Sequence, residues 1–262
     1  MTIELSAAQQ QAFQEDGFLL LRGFFPQREI ASLSKIARAD EAYLTSFPYA
    51  SRDSRGQATQ LFVWSHLKDD AYSAYARHER IVTPWAQLLG GPVTYFHHKM
   101  MLKQPGTKGA WEWHQDYGYY YRNYLRADMG GTMVAIDPAY RSNGCLQLMR
   151  GSHRCGRLEH TRLGDQSEHE TMADPTRVEA LMARCERVYC EMEPGDVLFF
   201  HSNTLHHSEP NPSNEPRWAL ITNFTRKDNP PIDAPNSWGS NFEAWDAGRV
   251  ADAVRRHSAR QC

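Results

Sequence analysis

Residues 199–220 read FFHSNTLHHSEPNPSNEPRWAL. Phe199-Phe200 and Trp218–Leu220 are apolar and strand-prone. Between them EPNPSNEP, residues 209–216, carries three prolines and two asparagines, the composition of a turn. The stretch therefore reads as strand, turn, strand. Histidines 201, 206 and 207 precede the turn and Arg217 follows it, so an imidazole on one strand and a guanidinium near the start of the next can face one interior.

The same texture recurs from Pro92 to Phe224. VTYFHHKMM (93–101), TMVAID (132–137), GCLQLM (144–149), RVYCEME (187–193), DVLFFHS (196–202) and WALITNFT (218–225) are short β-branched and aromatic runs separated by Gly, Pro, Asn and Asp. Many short strands with turn signals between them predict an antiparallel sandwich or barrel. Ahead of them, AAQQQAFQEDG predicts a helix ended by Gly17, and FLLLRGFF (18–25) predicts a strand. Pro26 opens a second helix, in which Ile30, Leu33, Ile36 and Ala37 recur at helical spacing. Polar stretches near 45–60 and 156–180 read as mobile loops over a cavity, and the residues from Trp238 onward end in a polar helix. Nothing resembles a linker. The expectation is one domain over residues 1–262, with a β core at about 92–226 and helical support at 1–90.

Composition narrows the function classes. Of 262 residues, 41% are hydrophobic and 23% charged, enough to bury a sizeable core. Lysine and arginine number 29 against 31 acidic residues, a net charge of −2, which argues against a nucleic-acid footprint or a polybasic membrane patch. No apolar run approaches the roughly 18 residues of a membrane span. MTIELSAAQQQ lacks a secretory pattern, and five cysteines without a CxxC pair read as reduced thiols, so a cytoplasmic location is expected.

WHQDYGYYY, Trp113–Tyr121, holds the chemistry. His114 and Asp116 stand two apart, which on a strand puts both on one face, suiting a divalent metal or an ordinary hydrogen-bonded pair. A mononuclear non-haem iron site needs two histidines and one carboxylate on one face of the metal. The third ligand must then come from His201, His206 or His207. His207-Ser208-Glu209 is a rival H-x-E. Arg217 suits the far carboxylate of a 2-oxoglutarate that chelates such an iron, because an arginine fork grips carboxylates bidentately and keeps its charge when desolvated. Cys185 and Cys190 lack neighbours at zinc-site spacing, and no HExxH supplies a hydrolytic base.

His114-Gln115-Asp116, Asn143-Gly144-Cys145-Leu146 with Gly151-Ser152-His153, Pro194-Gly195-Asp196, and Leu205-His206-His207-Ser208 followed eleven residues on by Arg217 together resemble the phytanoyl-CoA dioxygenase family. QEDGFLLLRGFF also resembles that family's N-terminus, so the likeness spans roughly residues 8–228. The resemblance implies a mainly β fold, a double-stranded β-helix (a cupin-like jelly-roll) with flanking N-terminal helices. It implies an oxidoreductase that uses Fe(II), 2-oxoglutarate and O2. By register, His114, Asp116 and His206 are the metal ligands and His207 stands where many relatives have glycine. Arg217, with Ser208 and with Lys103 eleven residues before His114, becomes the 2-oxoglutarate-binding set. No catalytic residue beyond the metal centre is implied. Asp116 favours hydroxylation, since related halogenases carry a small residue there.

The remaining tyrosines and arginines bear on substrate. If the strand continued past Asp116, Tyr117, Tyr119, Tyr120 and Tyr121 would alternate faces and about half would line the cavity; Arg122 and Arg126 would receive an anionic group or stay solvated. Tyr117, Tyr119, Tyr121, Arg122 and Arg126 are accordingly the substrate candidates. The chain leaves little material for an acyl-CoA platform, so a small zwitterion, an aminophosphonate or amino-acid derivative, is expected as substrate of a monomer or homodimer. A larger acyl-type substrate, a metal-binding jelly-roll without turnover and a zinc hydrolase are the competing readings.

Overall fold

In the computed structural model, residues 3–46, 49–162, 171–233 and 240–261 are described. The chain begins with α1 (Ala7–Asp16), β1 (Phe18–Leu21), α2 (Gln27–Ala39) and α3 (Glu41–Ser46). Next come β2 (Tyr49–Arg52), β3 (Ala58–Trp64), α4 (Ala71–Ala76), α5 (Glu79–Leu88) and the long β4 (Val93–Lys103). The site-bearing half holds β5 (Trp111–His114), α6 (Asp116–Tyr120), β6 (Met129–Ala135) and β7 (Leu146–Met149). It continues through β8 (His160–Arg162), β9 (Thr171–Ala173), α7 (Pro175–Met182), β10 (Arg187–Cys190), β11 (Val197–His201), β12 (His206–Ser208), β13 (Arg217–Arg226) and α8 (Ala247–Ala259).

The N-terminal elements obey their local chemistry. Ser6 caps α1 through a reciprocal box with Gln9, and Gly17 closes it in the left-handed region at φ 83°. A Cβ there would also lie 2.4 Å from Nδ1 of His153, so two separate requirements select glycine. In α2, Ile30, Leu33, Ile36 and Ala37 form the buried stripe that the spacing predicts. Each Leu or Ile so buried contributes roughly 1.5–3 kcal/mol.

Two antiparallel sheets face each other. The larger runs β1-β11-β6-β13-β4-β3-β2 and the smaller β10-β7-β12-β5, with β8 and β9 forming a separate hairpin. Period-two alternation divides the core. On β4, Met100 and Leu102 turn outward with Trp85, Leu220 and the buried stripe of α2. Met101, between them, turns inward with Met133, Leu148, Phe200 and Ile221. This is the jelly-roll that the resemblance implies: two sheets around an interior, with helices packed on the outer face of the larger one.

Three expectations need correction. The region 1–90 is more than helical support, because β1, β2 and β3 join the larger sheet. The stretch 45–60 is mostly the β2–β3 hairpin, in which Arg52 pairs with Ala58. The stretch 156–180 contains the β8–β9 hairpin and the start of α7; residues 47–48 and 163–170 of the expected loops lie outside the described residues. Polar composition misled here, because a sheet-edge hairpin has a solvated face. Among the described residues no helix is long and apolar enough to cross a membrane.

Candidate active site

The smaller sheet brings the two histidines together. β12 pairs with β5 so that His206 stands directly opposite His114, and their ring centroids are 4.1 Å apart. In both rings Nδ1 faces a backbone carbonyl two residues earlier, Glu112 at 2.6 Å and Thr204 at 2.9 Å. A carbonyl only accepts, so Nδ1 carries the proton in each and Nε2 is left with its lone pair. Burial, then the facing His206 ring, holds the His114 pKa well below the histidine range. Burial lowers His206 too, against the opposing pull of Asp116. Both imidazoles are thus kept neutral, as metal ligands must be.

Asp116 arrives differently from the expectation of one strand carrying both ligands. β5 ends at His114, Gln115 is extended, and Asp116 is the first residue of the one-turn helix α6. The turn is held tightly. The Gln115 side chain, wholly buried, donates to the carbonyls of Gly156 and Asn203 and accepts from the Leu158 amide. The Gln115 backbone N–H donates to Nε2 of His160 at 3.0 Å. That ring lies against Gly118, where a Cβ would fall 2.3 Å from it, so α6 fits only with glycine at that position. His160 is this internal brace, and nothing in the spacing links it to Gln115.

Asn223 on β13 donates to Oδ2 of Asp116 at 3.0 Å, and Oδ1 lies 3.9 Å from Nε2 of His206. One ligand atom each from His114, Asp116 and His206 lies within 4.8 Å of the others, and all three residues are buried. Two imidazole nitrogens and one carboxylate oxygen on one side of a point is the donor set that suits a non-haem iron with open positions. His207, on the opposite face of β12, turns away: its Nε2 meets Glu209 at 3.0 Å and its ring stacks on Trp113. The alternation of a strand therefore points His206 to the cluster and His207 away from it.

These ligands line a cavity of about 580 Å³, within the usual range of small-molecule sites. Arg217 and Ser208 line it as well. Arg217 is 2% exposed, its Nε has no hydrogen-bond partner, and no ion pair reaches it among the described residues. Burial pulls its pKa down to about 10, leaving it charged at neutral pH. Lys103 stands beside Arg217 in the β4–β13 register but does not line the cavity. A buried ammonium needs acceptors, and it takes the backbone carbonyls of Ser208 and Glu209 instead.

The expected tyrosine wall is replaced by a helix. Tyr119 and Tyr120 line the cavity, whereas Tyr117 is buried with its hydroxyl on the Tyr124 carbonyl. Tyr121 is 47% exposed under the Arg157 guanidinium. Arg122 is exposed outside the cavity, and Arg126 is held by Asp128 and Asp228. The strand reading failed because Asp116 begins a helical turn, which brings Tyr119 and Tyr120 to the cavity and turns Tyr117 and Tyr121 away from it. The sequence reading missed His97, Lys99 and Asn123, which do line it.

A family model for phytanoyl-CoA dioxygenase (PhyH) matches residues 13–219. An ectoine dioxygenase of Bordetella parapertussis is 26% identical over 237 residues, covering 86% of this chain and 77% of that protein. A probable alpha-ketoglutarate-dependent hypophosphite dioxygenase of Stutzerimonas stutzeri is 24% identical, covering 93% and 86%. Among solved structures, EctD from S. alaskensis with 2-oxoglutarate and 5-hydroxyectoine superposes with a TM-score of 0.70 at 24% identity, over 86% of this chain and 77% of that one. The fold is therefore shared with that protein.

Proposed function

This chain belongs to the phytanoyl-CoA dioxygenase family of iron- and 2-oxoglutarate-dependent dioxygenases, and from that premise we propose that it hydroxylates an unactivated C–H bond of a small polar metabolite. The observation that carries the reading is the facing of the His114, Asp116 and His206 donors by an unpaired, buried Arg217 within one cavity. A buried guanidinium with an unpaired Nε calls for an anion, and a keto acid spanning from metal to arginine would supply one.

In this reading His114, Asp116 and His206 hold Fe(II). Arg217 grips the far carboxylate of 2-oxoglutarate, and Ser208, on the same face of β12 as His206, borders it. Bound iron and keto acid supply the oxidising power: with O2, the substrate C–H becomes C–OH while 2-oxoglutarate becomes succinate and CO2. The chain's own part is positional. Thr204 and Glu112 carbonyls fix the imidazole tautomers, Asn223 fixes the carboxylate, and the apolar walls keep water from competing. Residues 1–262 act as one catalytic domain, the larger sheet being built from both ends of the chain. A cavity of about 580 Å³ accommodates the keto acid and a small zwitterion, an aminophosphonate or amino-acid derivative, rather than a long acyl-CoA.

Anaerobic addition of Fe(II) and then 2-oxoglutarate should raise a weak visible charge-transfer band that zinc does not give. Absence of the band in protein that binds Fe(II) refutes the reading. Its presence, followed by succinate formation above the uncoupled background with one member of a panel of small amino acids, betaines and phosphonates, identifies the substrate class.

A further inference from the structure

Arg217 is not the only cation facing the cavity. Lys99, on β4, lines it too. Its cross-strand neighbours are Val63 on β3 and Ile221 on β13, both apolar. Among the described residues its ammonium has no hydrogen bond and no carboxylate within ion-pair distance, whereas Lys103, two places further along the same face, is satisfied by two carbonyls. Lys99 is thus a half-buried residue, flanked by apolar strand neighbours, whose ammonium faces the cavity free to take an anionic ligand.

The cavity's charge points the same way. Its lining carries two permanent cations, Lys99 and Arg217, and one carboxylate, Asp116. In the proposed state Fe(II) adds two positive charges and 2-oxoglutarate two negative ones. They cancel, and one positive charge remains unmatched. Position assigns it to Lys99. Arg217 pairs with Lys103 at one end of the β4–β13 ladder, while Lys99 pairs with Ile221, four residues along β13. Four residues of strand separate the two backbones by about 13 Å. Asn223, which holds Asp116, lies two residues beyond Ile221 on the same face. Lys99 therefore stands closer along the ladder to the metal end than to the arginine end. The same cavity is lined by His97, Tyr119, Tyr120 and Asn123, polar groups besides the His114, Asp116, His206, Ser208 and Arg217 set.

We propose that Lys99 anchors an oxyanion of the substrate, a carboxylate or phosphonate, and so restricts turnover to small molecules that carry one. The proposal rests on the iron- and 2-oxoglutarate-dependent reading and names its substrate class. Lys99 replaces Arg122 and Arg126, the anion receivers expected from sequence, which stand outside the cavity.

The test separates the two readings. In metal-free, full-length protein, calorimetry with methylphosphonate should find two anion sites, one for each cation. Arg217→Met should retain one. The double variant Arg217→Met/Lys99→Met should lose that remaining affinity at least tenfold, and Arg217→Met/Lys99→Arg should restore it. Failure of Arg217→Met to bind the probe, or equal binding by Arg217→Met and the Lys99→Met double variant, overturns the proposal, while the Fe(II)–2-oxoglutarate band tests the parent reading independently. With iron and 2-oxoglutarate present, acids that stimulate succinate formation should exceed their amides at least tenfold in kcat/KM. Lys99→Met should erase that ratio and Lys99→Arg should keep it. Loss of 2-oxoglutarate affinity in Lys99→Met, with the acid-to-amide ratio intact, assigns the lysine to the cosubstrate and overturns the proposal.

Discussion

Replacing Arg217 with methionine should weaken cosubstrate binding and strengthen the fold at once. The guanidinium is 2% exposed, its Nε is unsatisfied, and burial lowers its pKa to about 10. Held against a carboxylate, it makes two charge-assisted hydrogen bonds worth roughly 1.5–3 kcal/mol each. Their loss is about 3–6 kcal/mol, which at about 1.4 kcal/mol per decade weakens 2-oxoglutarate affinity by two to four orders of magnitude. Without ligand the account reverses. Methionine fills similar space without a buried charge, and replacing buried ionic groups with apolar ones of like volume stabilises by about 1–4 kcal/mol. For a protein of this size each kcal/mol moves Tm by roughly 2–4 °C. Anaerobic titration of the Fe(II) enzyme, followed by its charge-transfer band, measures the first effect; thermal unfolding of metal-free protein measures the second. A methionine variant that binds 2-oxoglutarate within threefold of the parent refutes the assignment of Arg217. One that melts lower refutes the claim that the fold bears a cost for holding it.

Asp116→Ala should abolish hydroxylation, since it removes the one carboxylate of the donor set; turnover at the parental rate in a substrate assay would contradict the assignment. His206→Ala should weaken Fe(II) binding at least a hundredfold in equilibrium dialysis, whereas His207→Ala, which loses only its stack on Trp113 and its contact with Glu209, should bind within threefold. The reverse order would transfer the ligand role to His207. Stability should fall with acid. Burial depresses His78 to about 4 and His98 to about 3, so between those values and the unfolded value near 6.5 the unfolded chain takes up protons that the folded chain refuses. Stability is therefore complete above about pH 6.5 and declines below it, His78 alone accounting for about 3 kcal/mol over its window. Urea unfolding at pH 7.5 and pH 5 should show the loss, and His78→Asn, which preserves an N-cap for α5, should make it shallower; identical slopes would argue against the histidine.

The cluster of His114, Asp116 and His206 and the cavity position of Arg217 were legible because their spacings belong to the chain itself: His114 and Asp116 two apart, His206 and Arg217 eleven apart across a turn. The strands of the β core were legible from alternation, as Met100, Met101 and Leu102 illustrate by facing opposite cores. What stayed hidden depends on contacts between distant segments. The run of tyrosines has strong strand propensity, yet tertiary packing of His160 on Gly118 and the anchoring of Gln115 impose a helical turn on it. Lys103 and Lys99 are equivalent in composition, and only the reach of one to the end of β12 distinguishes the satisfied ammonium from the vacant one. The β2–β3 hairpin was concealed by the polar turn between its strands, Asp53 to Gln57.

The pairing of β4 with β13 has a consequence for how such an enzyme changes substrate. It holds 10 paired registers with one shift between Asn223 and Phe224, and its inward positions carry the groups that would meet both small molecules. Between Arg217 and Asn223, ahead of that shift, inward positions recur every second residue, so a charge moved along this part of the ladder shifts by steps of about 6.7 Å. Selectivity for molecular length is therefore graduated rather than continuous: a cation transferred from position 99 to 101, now an apolar methionine, would accept a molecule one notch different in length, with the ladder's backbone hydrogen bonds untouched.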